Sequence, residues 1–364
     1  MKVTKVVLAS FAALGLLATS CSSDAKTPAA SSKPAATAAG SASTDAAPAT
    51  DAAPSTDAAS TATDAVPVET VEAVAGEDIT IAVITHGDDG GFWSVAQAGA
   101  EKAGTDLGIT VLYKGGNNDG AAQAALIDQA VSDGVDGLAV SLADPDALEA
   151  SVKAAVAAGI PLITLNSGSD LFKELGAITH VGQDETVAGN GAGEKFQAAG
   201  MKKVLCVKQE QTNVGLEARC NGAAETFTGG EVIQITTSGD ADPTASQGEI
   251  KTALEADPDI DAVFATGPVG GHLAVLAAEE LGRDLMIGSV DLSTDILADI
   301  EAGKAAFTID QQQFLQGYLS VVFLYLNITN ANTVGGGLPV YTGPGFVTKD
   351  NVAAVKSLVE AGTR

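Results

Sequence analysis

Apolar residues recur along this chain in two alternating patterns. Ile79 to Ile84 is a short, mostly apolar run of the kind found in a strand buried on both faces. Behind it Val95, Gly99, Ala103 and Leu107 return every four residues, as one face of a helix does, and Ile109 to Tyr113 is strand-like again. The same alternation continues through strand-like runs at Gly137 to Leu142, Pro161 to Leu165 and Ile178 to Gly182, with helical spacing such as Leu148, Val152 and Ala155 between them. A second series follows at Lys203 to Lys208, Glu231 to Thr236, Ile260 to Thr266, Leu285 to Asp291 and Ala305 to Asp310. Strands that alternate with helices build parallel sheets covered on both faces. Two series of similar size therefore predict an α/β protein of two similar doubly wound parallel-sheet lobes. A further helix near Gln316 to Leu326 is apolar on most faces and is expected to be buried, since it is too short to span a bilayer.

The first residues follow a different pattern. Lys2 and Lys5 precede the apolar run Val6 to Ala18, and small residues lead to Cys21, which reads as a secretory signal over residues 1–20. The segment resembles a bacterial lipoprotein signal, although its Leu17 stands one residue further from the cysteine than is usual. That resemblance implies lipidation at Cys21 and an anchor on the outer face of a membrane; the alternative is a plain secreted protein. From Ser22 to about Gly76 the chain consists of Ala, Ser, Thr, Pro and Asp, with T-D-A-A-P at Thr44 and Thr50 and variants at Thr56 and Thr63. Without large apolar side chains this stretch cannot form a core, so residues 21–76 are expected to be a disordered tether.

Composition narrows the partners. The 364 residues carry a formal net charge of -27 and no basic run, which argues against nucleic acid and against direct binding to anionic lipid. Aromatics make up only 4%, and the single tryptophan, Trp93, follows Phe92 just beyond the first strand. An aromatic at the carboxyl edge of a parallel sheet, where ligands of such folds bind, suits the apolar face of a sugar ring.

The other strand ends carry amides and carboxylates able to exchange hydrogen bonds with hydroxyls: Asp144, Asn166 with Ser167, Gln183 with Asp184, Gln209, Asn213, Glu217 and Arg219, Asp291, and Asp310 with Gln311. Asp144 and Asp184 read better as helix N-caps, and Asn166, Asp291 and Gln311 as binding residues. Catalysis finds no support. No phosphate-binding glycine motif follows the first strand, and Gly189, Gly191 and Gly193 fall inside a helix, where they permit close packing. His86, His180 and His272 follow no metal-ligand or triad spacing. No enzyme, metal or cofactor is expected. Cys206 and Cys220 remain after Cys21, and in an exported protein such a pair is expected to form a disulfide rather than a metal site.

The order of several segments carries a resemblance that covers everything from about Glu77 onward: FW after the first strand, DGLAVSLADPDAL, GIPLITLN, THVGQDETVAGNGAGE, RCNG from Arg219, IDAVFATG, SVD and TIDQQQFLQGY. The chain resembles the sugar-binding proteins of ABC importers with the type I periplasmic binding fold. The resemblance implies a three-strand hinge with crossings near Gln183, Gln311 and Gly343 to Phe346. It divides the chain into one lobe of 77–183 with 312–345 and another of 184–311 with 346–364. It implies an aromatic pair, Phe92 and Trp93, around the sugar, and ligand contacts from Asn166, Gln183, Asn213, Glu217, Asp291 and Gln311. Glu217, Ser167 and Gly267-Pro268 depart from the ribose-binding pattern, and the loss of two arginines points to a different simple sugar or a polyol. The implied partners are that solute, an ABC permease and, through the lipid anchor, a membrane; the implied state is an exported monomer. A receptor-coupled sugar or signal sensor is the alternative, whereas export and acidity exclude a DNA-bound repressor.

Overall fold

The structure is a computed structural model that describes residues 78–88 and 90–364. The signal, Cys21 and the tether read from the sequence lie outside the described residues. The first sheet contains β1 (Thr80–Thr85), β2 (Thr110–Gly115), β3 (Gly137–Ser141), β4 (Leu162–Asn166), β5 (His180–Gln183) and β11 (Val340–Gly343), in the order β11-β5-β4-β3-β1-β2. The second contains β6 (Lys203–Lys208), β7 (Glu231–Thr236), β8 (Ala262–Ala265), β9 (Met286–Val290), β10 (Phe307–Asp310) and β12 (Gly345–Thr348), in the order β12-β10-β9-β8-β6-β7. The two orders are the same once corresponding strands are matched, so β4 and β9 hold equivalent places. Every pairing between described strands is parallel except that of β10 with β12.

Alternation along the strands fills a core on both faces of each sheet. Ala82, Ile84, Leu138 and Val140 pack on Ile127 of α2 (Gly120–Asp133) and on Leu148 and Val152 of α3 (Pro145–Ala157). Ile81, Val83 and Ala139 face the opposite way, onto α1 (Gly90–Leu107) and α9 (Gln313–Asn330). In the second sheet, Val204, Cys206 and Phe264 pack on α4 (Glu185–Ala199) and α5 (Val214–Thr226). Leu205, Val263 and Ile287 pack on α6 (Pro243–Ala256), α7 (Pro268–Leu281) and α8 (Thr294–Ala302), where Val352 of α10 (Val352–Glu360) also contributes. Glycine lets the paired helices approach closely. A Cβ on Gly317 would lie 2.0 Å from the Ala96 carbonyl oxygen of α1, and one on Gly189 would lie 2.2 Å from that of Arg219 on α5.

The chain passes between the sheets three times: from β5 to α4, from β10 to α9, and from β11 to β12. Two elements differ from the sequence expectation. Helix α1 starts at Gly90, so Phe92 and Trp93 sit in its first turn instead of closing a loop. Helix α9 reaches 18 residues, longer at both ends than the apolar stretch from Gln316 to Leu326, because it also takes in the polar Gln313 at its start and Asn327 to Asn330 at its end. Among the described residues no helix is long and apolar enough to cross a membrane.

Cys206 on β6 and Cys220 on α5 are joined by a disulfide across a sequence separation of 14. A crosslink closing a loop of that size restricts the unfolded chain by about 3 kcal/mol. Replacing both cysteines by alanine should lower the unfolding free energy by about that amount in urea titration, and reductant should have no further effect on the variant.

Candidate functional site

The carboxyl ends of both sheets open on one cleft of about 720 Å³. That size suits a small organic ligand. On the first-sheet side its lining includes His86, Phe92, Trp93, Asn117, Asn118, Asp144 and Asn166. On the second-sheet side it includes Gln209, Glu210, Asn213, Arg219, Asp240, Asp291 and, at the second crossing, Gln311.

The aromatic wall is built locally. Trp93 is 8% exposed, and its indole lies over Gly87: a Cβ on that glycine would come within 2.1 Å of the indole Nε1. Phe92 meets Trp93 edge-on, with centroids 4.8 Å apart, and His86 meets it edge-on from the β1 side at 4.7 Å. The His86 Nδ1 is 2.8 Å from the Ser141 hydroxyl. Burial lowers the His86 pKa, opposed by Glu210 and reinforced by Arg219, so the ring is neutral in the physiological range.

A chain of amides links the two sides of the cleft. The Ser167 hydroxyl donates to Asn166 Oδ1 at 3.0 Å, Asn166 Nδ2 donates to Gln311 Oε1 at 3.2 Å, and Gln311 Nε2 donates to Asp291 Oδ1 at 2.8 Å. Gln316 and Thr342 pin Gln311 from behind, donating to its side-chain oxygen at 3.0 Å and to its carbonyl at 2.7 Å respectively. Asn166 ends β4 and Asp291 directly follows β9, the equivalent strand, and both adopt left-handed backbone, with φ of 61° and 67°. Non-glycine residues rarely hold that conformation without support from their surroundings, and such strain concentrates at functional positions. Burial pushes the Asp291 carboxyl up to about 7. Arg219 and the Gln311 hydrogen bond oppose that rise, while Glu185 and Asp310 add to it.

Beneath Asp291 lies a buried ion pair. Arg219 donates from Nε and Nη2 to the two Glu185 carboxylate oxygens at 2.5 and 2.9 Å, and from Nη1 to the Thr266 carbonyl at 2.7 Å. Burial alone would lower the Arg219 pKa, but the charge and hydrogen bonds of Glu185 outweigh it and keep the guanidinium protonated. Asn213 caps α5, accepting from the Gly215 amide at 2.9 Å. Its Nδ2 donates to Glu210 at 2.9 Å and lies 3.4 Å from His86 Nε2, while the neighbouring Val214 amide donates to the Ala143 carbonyl at 3.1 Å. The two sides of the cleft therefore touch directly here.

Of the sequence candidates, Phe92, Trp93, Asn166, Asn213, Asp291 and Gln311 come together in the cleft. Two do not. Gln183 is fully buried at the first crossing and donates to Glu185 at 2.8 Å, behind the site. Glu217 faces outward, half-exposed, in an ion pair with Lys208. The inward face of α5 carries Leu216, Arg219, Cys220 and Ala223. That spacing of three, four and seven was readable in the sequence and would have placed Arg219, not Glu217, toward the cleft. Arg219, named among the strand-end residues in the sequence, lines the cleft, so the loss of the two arginines of the ribose-binding pattern does not leave the cleft without a guanidinium. His86 and Glu210 were also missed, because a contact across two lobes leaves no local pattern. Asp144 and Asp184 are N-caps, accepting from the Ala147 and Val187 amides, although Asp144 also lines the cleft. Among the described residues no cluster of His, Cys, Asp and Glu is arranged to hold a metal.

Comparison with known proteins agrees with this geometry. Residues 81–331 match the periplasmic binding protein domain. The chain is 28% identical over 232 residues to the ribose import binding protein of Bacillus subtilis, covering 63% of this chain and 75% of that protein. It is 25% identical over 290 residues to the xylose/arabinose-binding protein of Sulfolobus acidocaldarius, covering 75% and 71%. Among solved structures, a carbohydrate transporter protein of Acidothermus cellulolyticus 11B in complex with myo-inositol is 44% identical. It superposes with a TM-score of 0.76 over 79% of this chain and 99% of that one. A solute-binding protein of Burkholderia graminis C4D1M in complex with D-arabinose is 25% identical, with a TM-score of 0.71 over 77% and 99%. These relatives bind substrates and are not enzymes. A two-sheet fold with its cleft at the strand ends, matched over most of its length, shows that the chain belongs to the periplasmic binding protein family, as a sugar-binding protein of the type I fold.

Proposed function

We propose that this protein captures a simple sugar or polyol in the cleft and delivers it to the permease of an ABC importer, working outside the cytoplasm as a monomer tethered through a lipid on Cys21. The observation that carries the reading is the Ser167–Asn166–Gln311–Asp291 chain, which spans both sides of the cleft and ends on a buried carboxylate facing an aromatic wall. A sugar or cyclic polyol pairs a C–H face with a rim of hydroxyls. Phe92 and Trp93 take the first; Asn166, Asn213, Gln311, Arg219 and Asp291 take the second. The myo-inositol and D-arabinose found with the two similar structures belong to this chemical class.

In this reading residues 77–183 with 312–345, and 184–311 with 346–364, move as two bodies about the three crossings. A ligand touching both favours the closed arrangement, which a permease distinguishes from the open one. The direct rim contacts between His86 and Asn213 and between Ala143 and Val214 support closure as an accessible state.

Titration of the wild type with pentoses, hexoses and inositols should change the emission of Trp93 for at least one of them. Trp93→Ala should weaken that ligand about tenfold or more, equivalent to about 1.4 kcal/mol, in calorimetry. Unchanged emission across the panel together with unaltered affinity in the variant would refute the reading.

Asp291→Asn should weaken binding about 10- to 150-fold, the range for losing a hydrogen bond to a charged group. A ligand hydroxyl donates to the ionised carboxylate, so wild-type affinity should rise between about pH 6 and 8, through the Asp291 value of about 7, and this slope should vanish in Asp291→Asn. Stability runs the other way. The folded-state value is raised above the ordinary 3.8, so the contribution of this carboxyl is fully present below pH 3.8 and is lost as pH rises through about 7. Melting of the unliganded protein against pH, compared with the variant, checks that sign.

A further inference from the structure

Arg219 is the one described residue lining the cleft whose side chain carries a positive charge at neutral pH, whereas Asp144, Glu210, Asp240 and Asp291 supply carboxylates. An arginine in a cleft ordinarily offers its planar fork to an anionic ligand. Here the fork is already engaged. Nε and Nη2 are committed to Glu185, and Nη1 donates to the Thr266 carbonyl, so three of the roughly five N–H groups of a guanidinium face the protein. Glu185 does not line the cleft. It is the first residue of α4, directly after the first crossing, and Gln183 holds its carboxylate from the end of β5. The pair is buried on both sides, with side chains 5% and 7% exposed, so water screens it little.

We infer that Glu185 is a specificity-determining residue: by neutralising Arg219 from behind, it leaves a cleft that accepts neutral or amine-bearing polyhydroxylated solutes and rejects their anionic counterparts, the uronates and sugar phosphates. The inference rests on the sugar-binding reading above and adds the charge class of the solute. The two remaining N–H groups of Arg219 still donate to hydroxyls. A ligand carboxylate would find no uncommitted cation to replace its lost water and would meet the Asp291 and Glu210 carboxylates instead. Glu185 acts through Arg219 without touching the solute, so the balance between neutral and charged ligands reports on it and affinity alone does not.

The test is calorimetry with ligands of matched ring and different charge: D-glucose, D-glucosamine and D-glucuronate, and D-galactose with D-galacturonate, alongside myo-inositol. The wild type should bind at least one neutral sugar and its uronate at least 100-fold more weakly, while an amine is tolerated. Glu185→Gln keeps the shape and removes the charge. It should raise uronate affinity at least tenfold relative to the neutral sugar, whereas Glu185→Asp should preserve the exclusion. A purely structural role would weaken both ligands of Glu185→Gln together, and an unmoved ratio in a variant that melts cooperatively overturns the inference. Should Glu185→Gln not fold, the wild type decides: a uronate bound as tightly as its neutral sugar overturns the inference and leaves the sugar-binding reading standing. Binding of none of these ligands or of any other neutral sugar removes both.

Discussion

Gln311 is the residue on which the cleft depends. It directly follows a strand of one sheet, leads into the helix that packs on the other, and uses its amide to join Asn166 to Asp291. A buried amide left unpaired costs about 1–3 kcal/mol, so its three side-chain partners, Asn166, Asp291 and Gln316, fix its orientation, while Thr342 holds its main-chain carbonyl. Once Gln311 is oriented, the donor and acceptor sense of the whole chain follows, and with it the group that Asp291 presents to a ligand.

The same region concentrates the costs of the fold. Asn166 and Asp291 hold left-handed backbone at equivalent strand ends, and the Glu185–Arg219 pair buries two full charges between them and the first crossing. Burying a pair of charges is close to neutral when both are well coordinated, but losing one partner costs about 3–5 kcal/mol. Such features are retained where they shape a site. Here they place a carboxylate and a guanidinium on the second-sheet side of the cleft and an amide beside the aromatic wall on the first-sheet side. The two sheets share one strand order, so one local solution, a strained polar residue at the end of the same strand, serves from both sides.

The lobes also meet directly at the cleft. Asn213 caps α5 and at the same time reaches Glu210 and the neighbourhood of His86. A single side chain thus couples the integrity of a helix end to the approach of the two lobes.

Most of the architecture was legible in the residue pattern. The strand Lys203–Lys208 appears where apolar spacing put it, because a strand buried on both faces needs near-continuous apolar side chains, and the half-exposed edge strand Glu231–Thr236 appears where its alternating Val232, Ile233 and Ile235 put it. The polar strand ends at Asn166, Asp291 and Gln311 were readable for the same reason, since a parallel sheet directs its carboxyl ends to one edge. What the sequence left open was contact between distant segments. Glu217 and Arg219 lie two residues apart on α5; the helical spacing of Leu216, Arg219, Cys220 and Ala223 marks the inward face, but the pairing of Arg219 with Glu185 of α4 came only from packing. Gln183 stands at a crossing between the sheets as Gln311 does, yet it bonds Glu185 away from the cleft, whereas Gln311 lines it. By itself the sequence determined two parallel sheets with a polar edge and an aromatic pair, because burial patterns are local. Tertiary structure alone decided which charges pair and which groups remain for a ligand, because a salt bridge or an amide chain across two lobes depends on distances that no spacing along the chain encodes.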